Sequence, residues 1–383
     1  MKIGVPKERR EFERRVAATP ETAARFVAMG FEVVVERDAG AGAAFSDEAY
    51  IEAGAIVVAD EAAALGEADI VLKVQRPGSE DELGMIKPGA ALIGLLDPTV
   101  DREYFAACAR ARINTMALEY LPRISRAQSM DALSSQSNLA GYKAVLDAAA
   151  EFGRAFPMMM TAAGTVAPAR VFVLGAGVAG LQAIATARRL GAIVSSFDVR
   201  PEVQEQIESL GARFVAVPTE GHGAAAADGG YAREMSSDFQ KRQTEVTHQT
   251  LKTQDIVICT ALIPGRPAPM LVAEEMVRDM KPGSVIVDLA VESGGNCALS
   301  RPGEVVHAHR ISIVGHRNVP SRIAVDASAL YAKNLLNLLT ALYDAESGSL
   351  KIDRDDEIVN GILLTHDGAV VHPSLTDECG ASE

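Results

Sequence analysis

The sequence predicts an α/β protein with two Rossmann-like domains, each built on a mainly parallel sheet. Short β-rich runs alternate with amphipathic helical patterns from the N-terminus onward, which is typical of βαβ units. The alternation stops near residue 120 and restarts at "RVFVLG", and 383 residues are too many for one ordinary core. We therefore expect two domains.

The first domain should consist of the alternating runs at the N-terminus. In chain order these runs are "KIGVP", "PETAARFVAMG", "FEVVVE", "EAYIEAGA", "DIVLKV", "AALIGLL" and "NTMALEY". A helical pattern over about residues 135–156 would carry the chain out of this domain. A second long helical pattern over residues 325–345 would carry it back.

The second domain should contain six strands with helices between them. Its strand-like runs are "RVFVLG", "AIVSSFD", "ARFVAV", "DIVICT", "SVIVDLA" and "ISIVG". The tail reads as a hairpin with Asp367 and Gly368 in the turn, and we expect it to join the first domain. The predicted boundaries are thus 1–133 with 326–383 for the first domain and 134–325 for the second.

The segment from about 219 to 243 interrupts this rhythm with a long polar and glycine-rich insertion. An insertion of this kind inside a compact domain favours a mobile loop. The segment could be a lid that acts in function or an insertion without a function, and the sequence leaves both interpretations open.

Composition excludes several classes of function. The formal net charge of -14 disfavours a nucleic-acid surface, which needs clustered lysine and arginine. The longest apolar runs are too short or too interrupted by glycine to span a bilayer, and the N-terminus lacks a secretory signal. The four cysteines form no CxxC pair, so we expect reduced thiols and no metal site.

A glycine-rich motif opens the second domain. In "RVFVLGAGVAGLQ", Gly175, Gly177 and Gly180 form GxGxxG directly after an apolar strand and before a helix. The first glycine suits the tight turn, the second allows the pyrophosphate to approach the backbone, and the third allows close packing of helix on strand. This context predicts a dinucleotide site.

Asp198 ends the next strand and is expected to accept hydrogen bonds from the adenosine ribose hydroxyls. A carboxylate at that position repels a 2'-phosphate, so the sequence favours NAD(H) over NADP(H). Arg200 leaves an alternative open, because a nearby arginine can tolerate that phosphate or stack beside the adenine.

Longer motifs carry a family resemblance. The stretches "PRISRAQSMDALSSQSNLAGYKAV", "AFPMMMTAAGTVAPARVFVLGAGVAG", "TALIPGRPAP" and "VIVDLAVESGGN" resemble the NAD(H)-binding component of the proton-translocating, Re/Si-specific NAD(P) transhydrogenases. The likeness spans essentially the whole chain, and the fold is similar to that of alanine dehydrogenase. It implies that NAD(H) binds in a cleft between the two domains.

The resemblance also implies roles for the polar segment before the second domain. Asp131 and Ser134 would hold the nicotinamide carboxamide, Arg123 would contact the nicotinamide region, and Gln128 would reach toward NADP(H) on a partner. The alternative for this segment is structural, since Ser134 or Ser135 could cap the following helix.

Further nucleotide contacts follow from the same resemblance. Tyr231 would lie on a loop that closes over the nucleotide, with Gly230 and Gln243 touching it, and Leu262 would lie near the dinucleotide or simply pack at a strand end. The remaining implied cofactor contacts are Ile124, Ser125, Val178 and Val199.

The implied assembly is a homodimer that docks on NADP(H)-binding and transmembrane subunits. The chain itself would not insert into the membrane. It would lie in the cytoplasm, peripheral to the inner membrane through its partners.

Hydride transfer between two nicotinamides needs no general acid or base, only two rings held close together without water. An amino-acid dehydrogenase must also move protons. Arg15 and Lys73 match the substrate-binding pattern of alanine dehydrogenase, but "LLDPTV" lacks that family's histidine, and Glu292 stands where its aspartate would fall. Alanine dehydrogenase and a non-catalytic NAD-sensing subunit are the alternatives.

Overall fold

The computed structural model describes residues 1–218, 237–263 and 265–376. The chain divides into two compact units. Unit 1 comprises Met1–Gln136 together with the chain from Ser321 onward, and unit 2 comprises Ser137–Pro320.

The N-terminal part of unit 1 alternates strands with short helices. Its strands are β1 (Lys2–Val5), β2 (Glu32–Glu36), β3 (Ile56–Val58), β4 (Ile70–Gln75), β5 (Ala91–Leu95) and β6 (Asn114–Ala117). Its helices are α1 (Pro20–Ala28), α2 (Asp47–Glu52), α3 (Glu61–Leu65), α4 (Glu80–Gly84) and α5 (Arg102–Arg110). Helix α6 (Ala132–Glu151) follows.

Unit 2 begins within α6, continues with a small hairpin and then repeats the alternation. Its strands are β7 (Met159–Thr161), β8 (Gly164–Val166), β9 (Arg170–Leu174), β10 (Ile193–Phe197), β11 (Arg213–Phe214), β12 (Ile256–Cys259), β13 (Val285–Asp288), β14 (Val305–Ala308) and β15 (Ile311–Val314). Its helices are α7 (Val178–Arg189), α8 (Gln204–Ser209), α9 (Ser237–Leu251) and α10 (Glu274–Arg278).

The chain then returns to unit 1. Its last helices are α11 (Ala324–Leu342), α12 (Glu357–Ile362) and α13 (Pro373–Thr376). Its last strands are β16 (Tyr343–Asp344), β17 (Ser349–Leu350), β18 (Leu363–His366) and β19 (Ala369–Val370). The β18–β19 turn confirms the predicted tail hairpin, since Asp367 and Gly368 both have positive φ.

Local sequence explains where the helices begin. Thr19 caps α1 with a reciprocal capping box to Thr22, and Pro20 occupies the first helical position. Helices α2 and α5 begin after Ser46 and Asp101, whose side chains accept a backbone N–H from the first turn. These side chains satisfy donors that a helix start otherwise leaves unpaired.

Both large sheets have the strand order of dinucleotide-binding folds. Among the described residues the unit 2 sheet runs β11-β10-β9-β12-β13-β15-β14, and all neighbours are parallel except β14 with β15. The unit 1 sheet runs β19-β18-β6-β5-β4-β1-β2-β3, with β18 and β19 added antiparallel. In both, the first strand lies beside the fourth, which is the point where ligands bind in such sheets. The predicted α/β class with Rossmann-like domains is confirmed.

The large sheet of unit 2 is covered on both faces. Val171 and Val173 of β9 point into one apolar cluster, while Phe172 and Leu174 point into the other. All four are fully buried, as expected for a parallel strand with helices on both sides. This packing holds the end of β9 in place where the glycine motif begins.

Several local predictions need correction. Helix α6 begins at Ala132 and ends at Glu151, so the expected helix over residues 135–156 starts earlier and stops before Gly153 and the β7–β8 hairpin. Residues 237–243 form the start of α9 and not a loop, while 219–236 lie outside the described residues. Strands β3, β7, β8, β16 and β17 were not predicted.

No helix in the described part of the chain is both long and apolar enough to cross a bilayer.

Candidate functional site

The glycine motif forms a tight turn at the end of β9 in unit 2. Gly175 has φ of +95°, a conformation that favours glycine, and its N–H donates to the carbonyl of Phe197 at 2.9 Å. A Cβ on Gly180 would lie 1.9 Å from the carbonyl oxygen of Gly175. The third glycine therefore allows α7 to start directly against the turn, as the motif predicts.

Thr260 holds this turn from the neighbouring strand. Its hydroxyl lies 3.1 Å from the carbonyl of Leu174 and 3.0 Å from that of Gly175, and it can donate to either. A Cβ on Gly175 would lie 2.7 Å from the same hydroxyl oxygen. Thr260 directly follows β12, so its hydrogen bond joins the carboxyl ends of the neighbouring strands β9 and β12. Sequence reasoning did not assign Thr260 a role.

Gly177 stands at the N-cap of α7 and differs from the other two glycines. In the described part of the chain, no heavy atom beyond its chain neighbours would lie within 4 Å of a Cβ placed there. Gly177 and Val178 are exposed. The helix start presents backbone N–H groups and the positive end of the helix dipole, which suit a phosphate group.

Asp198 follows β10 and reaches back to the glycine turn. Its Oδ2 accepts a hydrogen bond from the Ala176 N–H at 2.7 Å. Only 8% of Asp198 is exposed, and Val199 beside it packs against the apolar cluster under the sheet. The acid is therefore attached to the glycine turn itself, so the end of β10 and the start of α7 are held together.

Arg200 binds the same carboxylate with its guanidinium. Its Nε donates to Asp198 Oδ1 and its Nη2 donates to Oδ2, both at 3.0 Å. Its backbone N–H also donates to Oδ1 at 2.9 Å. The sequence raised Arg200 as a possible phosphate ligand or adenine neighbour, and the structure shows it paired with Asp198.

The other residues of unit 2 that were predicted to contact the nucleotide differ in exposure and location. Leu262 follows β12 and is 46% exposed, so it does not serve as buried strand-end packing. Gln243 lies on α9 and is partly exposed. Gly230 and Tyr231 lie outside the described residues.

Asn296 organises the loop that carries Leu262, although sequence reasoning missed it. The buried side chain accepts the Ala261 N–H at 3.1 Å and donates to the Ala261 carbonyl at 2.9 Å. It also donates to the carbonyl of Pro269 at 2.8 Å. These contacts fix the backbone immediately before Leu262. The motif "VESGGN" contained the signal, because an asparagine side chain offers both donors and an acceptor for such a backbone clamp.

Asp288 in turn holds the Asn296 segment. Its Oδ2 accepts the N–H groups of Asn296 and Cys297 at 2.9 Å and 3.0 Å and the hydroxyl of Ser300 at 2.7 Å. It is 1% exposed and ends β13. A buried carboxylate needs such donors, so Asp288 has a structural role at the strand ends.

Glu292 is engaged in unit 2 as well. Its carboxylate contacts Arg317 Nε at 3.2 Å and accepts the Asn318 N–H at 2.8 Å. Glu292 is thus part of a local salt bridge.

The polar segment of unit 1 is more ordered than a simple connector. Residues Ser125–Met130 form a 3-10 helix that leads directly into α6. The Ser129 carbonyl accepts hydrogen bonds from Asn334 and Asn337 of α11, both at 2.9 Å. At the start of this segment Arg123 is exposed and Ile124 is partly buried. Gln128 is exposed on the 3-10 helix.

Asp131 caps α6, whereas the structural alternative for this segment had Ser134 or Ser135 as the cap. Its Oδ1 accepts the backbone N–H of Ser134 at 2.9 Å, three residues further along the chain. Its Oδ2 accepts a short hydrogen bond from the Ser134 hydroxyl. The Ser135 hydroxyl instead contacts Asn334 at 2.8 Å. Both residues assigned to the carboxamide are thus paired with each other.

Arg126 lies in the same segment and fixes it to the tail. Its two Nη groups donate to the Asp356 carboxylate at 2.8 Å and 2.7 Å. This ion pair holds the pKa of Asp356 below its usual value. The segment is therefore held by α11 on one side and by the start of α12 on the other.

A buried charge cluster occupies the carboxyl ends of β1 and β4 in unit 1. Arg15 donates to Glu13 from Nε at 2.8 Å and from Nη2 at 2.6 Å, and Nη1 donates to Gln136 at 2.8 Å. Lys73 makes a short contact with Glu82 and lies 3.7 Å from Glu8. Arg15 and Lys73 are 4% and 2% exposed.

Glu8 is the most perturbed member of this cluster. Its Oε1 accepts the Val74 N–H at 2.6 Å, and within the described residues its buried Oε2 has no hydrogen-bond partner. Burial raises the pKa of Glu8 to about 7, while Lys73 opposes the rise. Near neutral pH this carboxyl group therefore retains a proton for part of the time.

Across the described ranges, no three histidine, cysteine, aspartate or glutamate side chains converge in a way that could hold a metal ion.

Comparison with known proteins places these features in a family. Residues 4–140 match the family described as "Alanine dehydrogenase/PNT, N-terminal domain", and residues 144–373 match "Alanine dehydrogenase/PNT, C-terminal domain". The chain is 56% identical to the first part of NAD(P) transhydrogenase subunit alpha from Rhodospirillum rubrum over 382 residues, which cover 99% of this chain and 100% of that one.

Solved structures give the same picture. The crystal structure of transhydrogenase from Sinorhizobium meliloti matches with a TM-score of 0.87 and 50% identity, covering 97% of this chain and 100% of that chain. An L-alanine dehydrogenase structure matches with a TM-score of 0.81 and 26% identity, covering 98% of both chains.

Proposed function

Because the chain belongs to the alanine dehydrogenase/PNT family, we propose that it is the NAD(H)-binding subunit of a proton-translocating NAD(P) transhydrogenase. It would exchange hydride with NADP(H) on a partner subunit, and a membrane partner would couple that exchange to proton movement. The observation that carries the proposal is the glycine turn at Gly175, to which Asp198 is bonded through Ala176. The likeness to a transhydrogenase alpha chain over its whole length supports it.

Unit 2 has the groups that a dinucleotide needs. The pyrophosphate would lie against the amides at the start of α7, where Gly177 leaves space for it. Asp198 would accept hydrogen bonds from the adenosine ribose hydroxyls. Leu262 would lie beside the nucleotide, on backbone that Asn296 holds. When bound, NAD(H) supplies or takes up one hydride at its nicotinamide ring.

Unit 1 would hold the nicotinamide carboxamide. Each oxygen of a carboxylate has two acceptor positions, so Asp131 can still accept a carboxamide N–H while it caps α6 through Ser134. The hydroxyl of Ser134 donates to Asp131 and keeps lone pairs with which it can accept. Arg123 would donate to the carboxamide carbonyl. These roles orient the ring and transfer no proton.

Gln128 would act across the interface with the partner. It is exposed on the 3-10 helix, which α11 holds through Ser129. An amide side chain can both donate and accept, and it carries no charge that would disturb hydride transfer. Orientation and exclusion of water are the means of catalysis here.

The charge cluster of unit 1 argues against an amino-acid dehydrogenase. That activity would need Arg15 and Lys73 to bind a substrate carboxylate. Instead Arg15 is bidentate to Glu13, and Lys73 pairs with Glu82 beside Glu8. A substrate carboxylate would have to displace buried carboxylates from both cations, and separating a buried ion pair is costly.

As a homodimer, the subunit would lie on the cytoplasmic face of the membrane. It would dock there on NADP(H)-binding and transmembrane subunits. The likeness to chains named as an alpha subunit supports partners of this kind, because such a name implies further subunits.

NADH binding tests the proposal directly. Titration of the purified chain with NADH, followed by fluorescence, should saturate, and the same sample should not reduce NAD with L-alanine. Asp198→Asn should weaken the binding, whereas Glu151→Gln, on an exposed residue at the end of α6, should not. Absent NADH binding, or robust alanine turnover, would contradict the proposal.

A further inference from the structure

One carboxylate in unit 2 contacts both the glycine turn and a neighbouring arginine. Asp198 faces the phosphate loop through Ala176, and it also binds the guanidinium of Arg200 with both of its oxygens. The Asp198 side chain is 6% exposed and that of Arg200 is 16% exposed. The ion pair is therefore largely shielded from water, where such a pair is stronger than at a surface.

The backbone reinforces this pairing. The N–H of Arg200 donates to Asp198 Oδ1, and Pro201 follows immediately and restricts the chain. The Arg200 backbone is extended, with φ of -90° and ψ of 114°. Rotation of the Arg200 side chain away from Asp198 would therefore leave its backbone beside this carboxylate.

We propose that Arg200 is a latent ligand for a nucleotide 2'-phosphate and that Asp198 keeps it from acting as one. The inference rests on the proposed function, in which the adenosine ribose binds at Asp198. A guanidinium is well suited to a phosphate, since it offers planar paired donors and a permanent charge. Asp198 disfavours NADP(H) binding to this chain in two ways. Its negative charge repels the 2'-phosphate, and its ion pair with Arg200 keeps that guanidinium from binding the phosphate.

This dual role has a consequence for a transhydrogenase. The subunit must take NAD(H) and leave NADP(H) to its partner, since binding the same nucleotide at both sites would yield no net exchange. A carboxylate that only repelled phosphate would leave an arginine available nearby. The ion pair between Asp198 and Arg200 prevents the arginine from binding the 2'-phosphate of NADP(H).

A double-mutant cycle tests the inference. The variants are Asp198→Asn, Arg200→Gln and the combination, and the dissociation constants for NADH and NADPH are measured by fluorescence titration of the full chain. Asparagine is nearly isosteric with aspartate, and its Oδ1 can still accept the Ala176 N–H. The charge that holds Arg200 is lost.

Asp198→Asn should raise NADPH affinity at least about tenfold, the size of effect expected from a charge-assisted hydrogen bond. Adding Arg200→Gln should remove most of that gain. Arg200→Gln alone should change NADPH affinity by less than about twofold. The gain in Asp198→Asn should also shrink at high ionic strength, because it depends on an ion pair with phosphate.

Equal NADPH affinity in Asp198→Asn and in the double variant would overturn the inference, because Asp198 would then act by repulsion alone. If the wild type binds NADH and the effects of the two substitutions on NADPH affinity are additive, the proposed function stands. The latent phosphate site is then rejected. Loss of NADH binding in the wild type would reject the proposed function and the inference with it. Thermal unfolding of each variant checks folding, and Asp198→Ser replaces Asp198→Asn if the latter unfolds early.

Discussion

The carboxylate of Asp131 accepts two hydrogen bonds from one residue, Ser134. One comes from the backbone N–H at 2.9 Å and caps α6, and the other comes from the hydroxyl group. The two contacts can be removed separately, because a substitution at Ser134 leaves its backbone N–H in place. The cap and the proposed carboxamide contact can therefore be distinguished by experiment.

Ser134→Ala should weaken NADH binding by roughly tenfold without lowering stability, because the helix cap remains. Asp131→Ala should weaken binding and also lower the free energy of unfolding by about 1 kcal/mol, through loss of the cap. NADH titration and urea unfolding of both variants provide the measurement. Unchanged NADH affinity in Ser134→Ala would mean that this pair is structural only.

Substitutions at the glycines of the GxGxxG turn should have separable effects on NADH affinity and on stability. Gly177→Ala meets no heavy atom within 4 Å among the described residues beyond its chain neighbours, so it should leave the melting temperature unchanged while NADH affinity falls. Gly180→Ala forces a Cβ to within 1.9 Å of the Gly175 carbonyl and should lower both. Calorimetry and NADH titration of the two variants check this. A Gly177→Ala variant with normal affinity would show that phosphate does not approach there.

Gln128→Asn should reduce the rate of hydride transfer far more than the affinity for NADH, because the side chain is proposed to act across the partner interface. The matched control is Gln240→Asn, on an exposed glutamine of α9 in unit 2. Rates are measured with the partner subunits present, and affinities with the chain alone. Equal losses in rate and affinity would reject the role.

Helix α6 packs unusually closely against the start of α7. A Cβ on Gly141 would lie 2.0 Å from the backbone oxygen of Ala179. We expect Gly141→Ala to lower the free energy of unfolding by about 1 to 3 kcal/mol, although alanine favours a helix. Gly153→Ala is the control, since its Cβ meets nothing within 4 Å in the described chain, and its effect should stay within about 0.5 kcal/mol. Equal stability of the two variants would contradict this packing.

Glu8 should make stability depend on pH. Burial raises its pKa from the ordinary value of 4.5 to about 7, so the folded protein keeps a proton that the unfolded chain has already released. The free energy of unfolding should therefore fall as pH rises from about 4.5 to about 7. Relative to Glu8→Gln, the wild type should lose on the order of 2 to 3 kcal/mol over this range.

Urea unfolding at several pH values measures this difference. Glu52→Gln, on an exposed residue of α2, is the control and should follow the wild type. Glu119 has a pKa raised to about 7 by burial as well, but it is present in every variant and cancels from the comparison. Parallel pH profiles for the wild type and Glu8→Gln would show that Glu8 ionises normally in the folded chain.

The fold class was predictable because the composition of each strand indicates whether its two faces are buried. Runs such as "RVFVL" and "DIVIC" are apolar almost throughout, as strands covered on both faces must be, and the structure buries Val171 and Phe172 on opposite sides. The glycine motif was equally readable, since strand, turn and helix follow one another within a few residues. The resemblance to the transhydrogenase family is confirmed by the comparisons.

The short elements could not be predicted in this way. The β7–β8 hairpin exposes Met159 and Met160, so its apolar residues give no burial pattern that a strand would show. The 3-10 helix at Ser125–Met130 depends on contacts with α11, which is distant in sequence. The cap at Asp131 was missed because the serines after it are also good caps.

Contacts between distant residues were also hidden from sequence reasoning. Asp198 and Arg200 were assigned separate roles, whereas they form one ion pair. Asn296 lies far along the chain from Ala261, yet it fixes the loop before Leu262. Arg15 and Lys73 matched a substrate pattern, with a salt-bridged cleft as the alternative, and the structure identifies Glu13 and Glu82 as their partners.

The central claim is that NADH bound to this chain passes its hydride directly to NADP+ on a partner. The chain is mixed with its membrane partner subunits, NADP and NADH deuterated at the transferable C4 position, and the NADPH formed is analysed by mass spectrometry. Deuterium in the NADPH, dependent on this chain and formed far more slowly with Gln128→Asn, is the predicted result. NADPH that contains only solvent hydrogen, or no NADPH at all, would contradict the account.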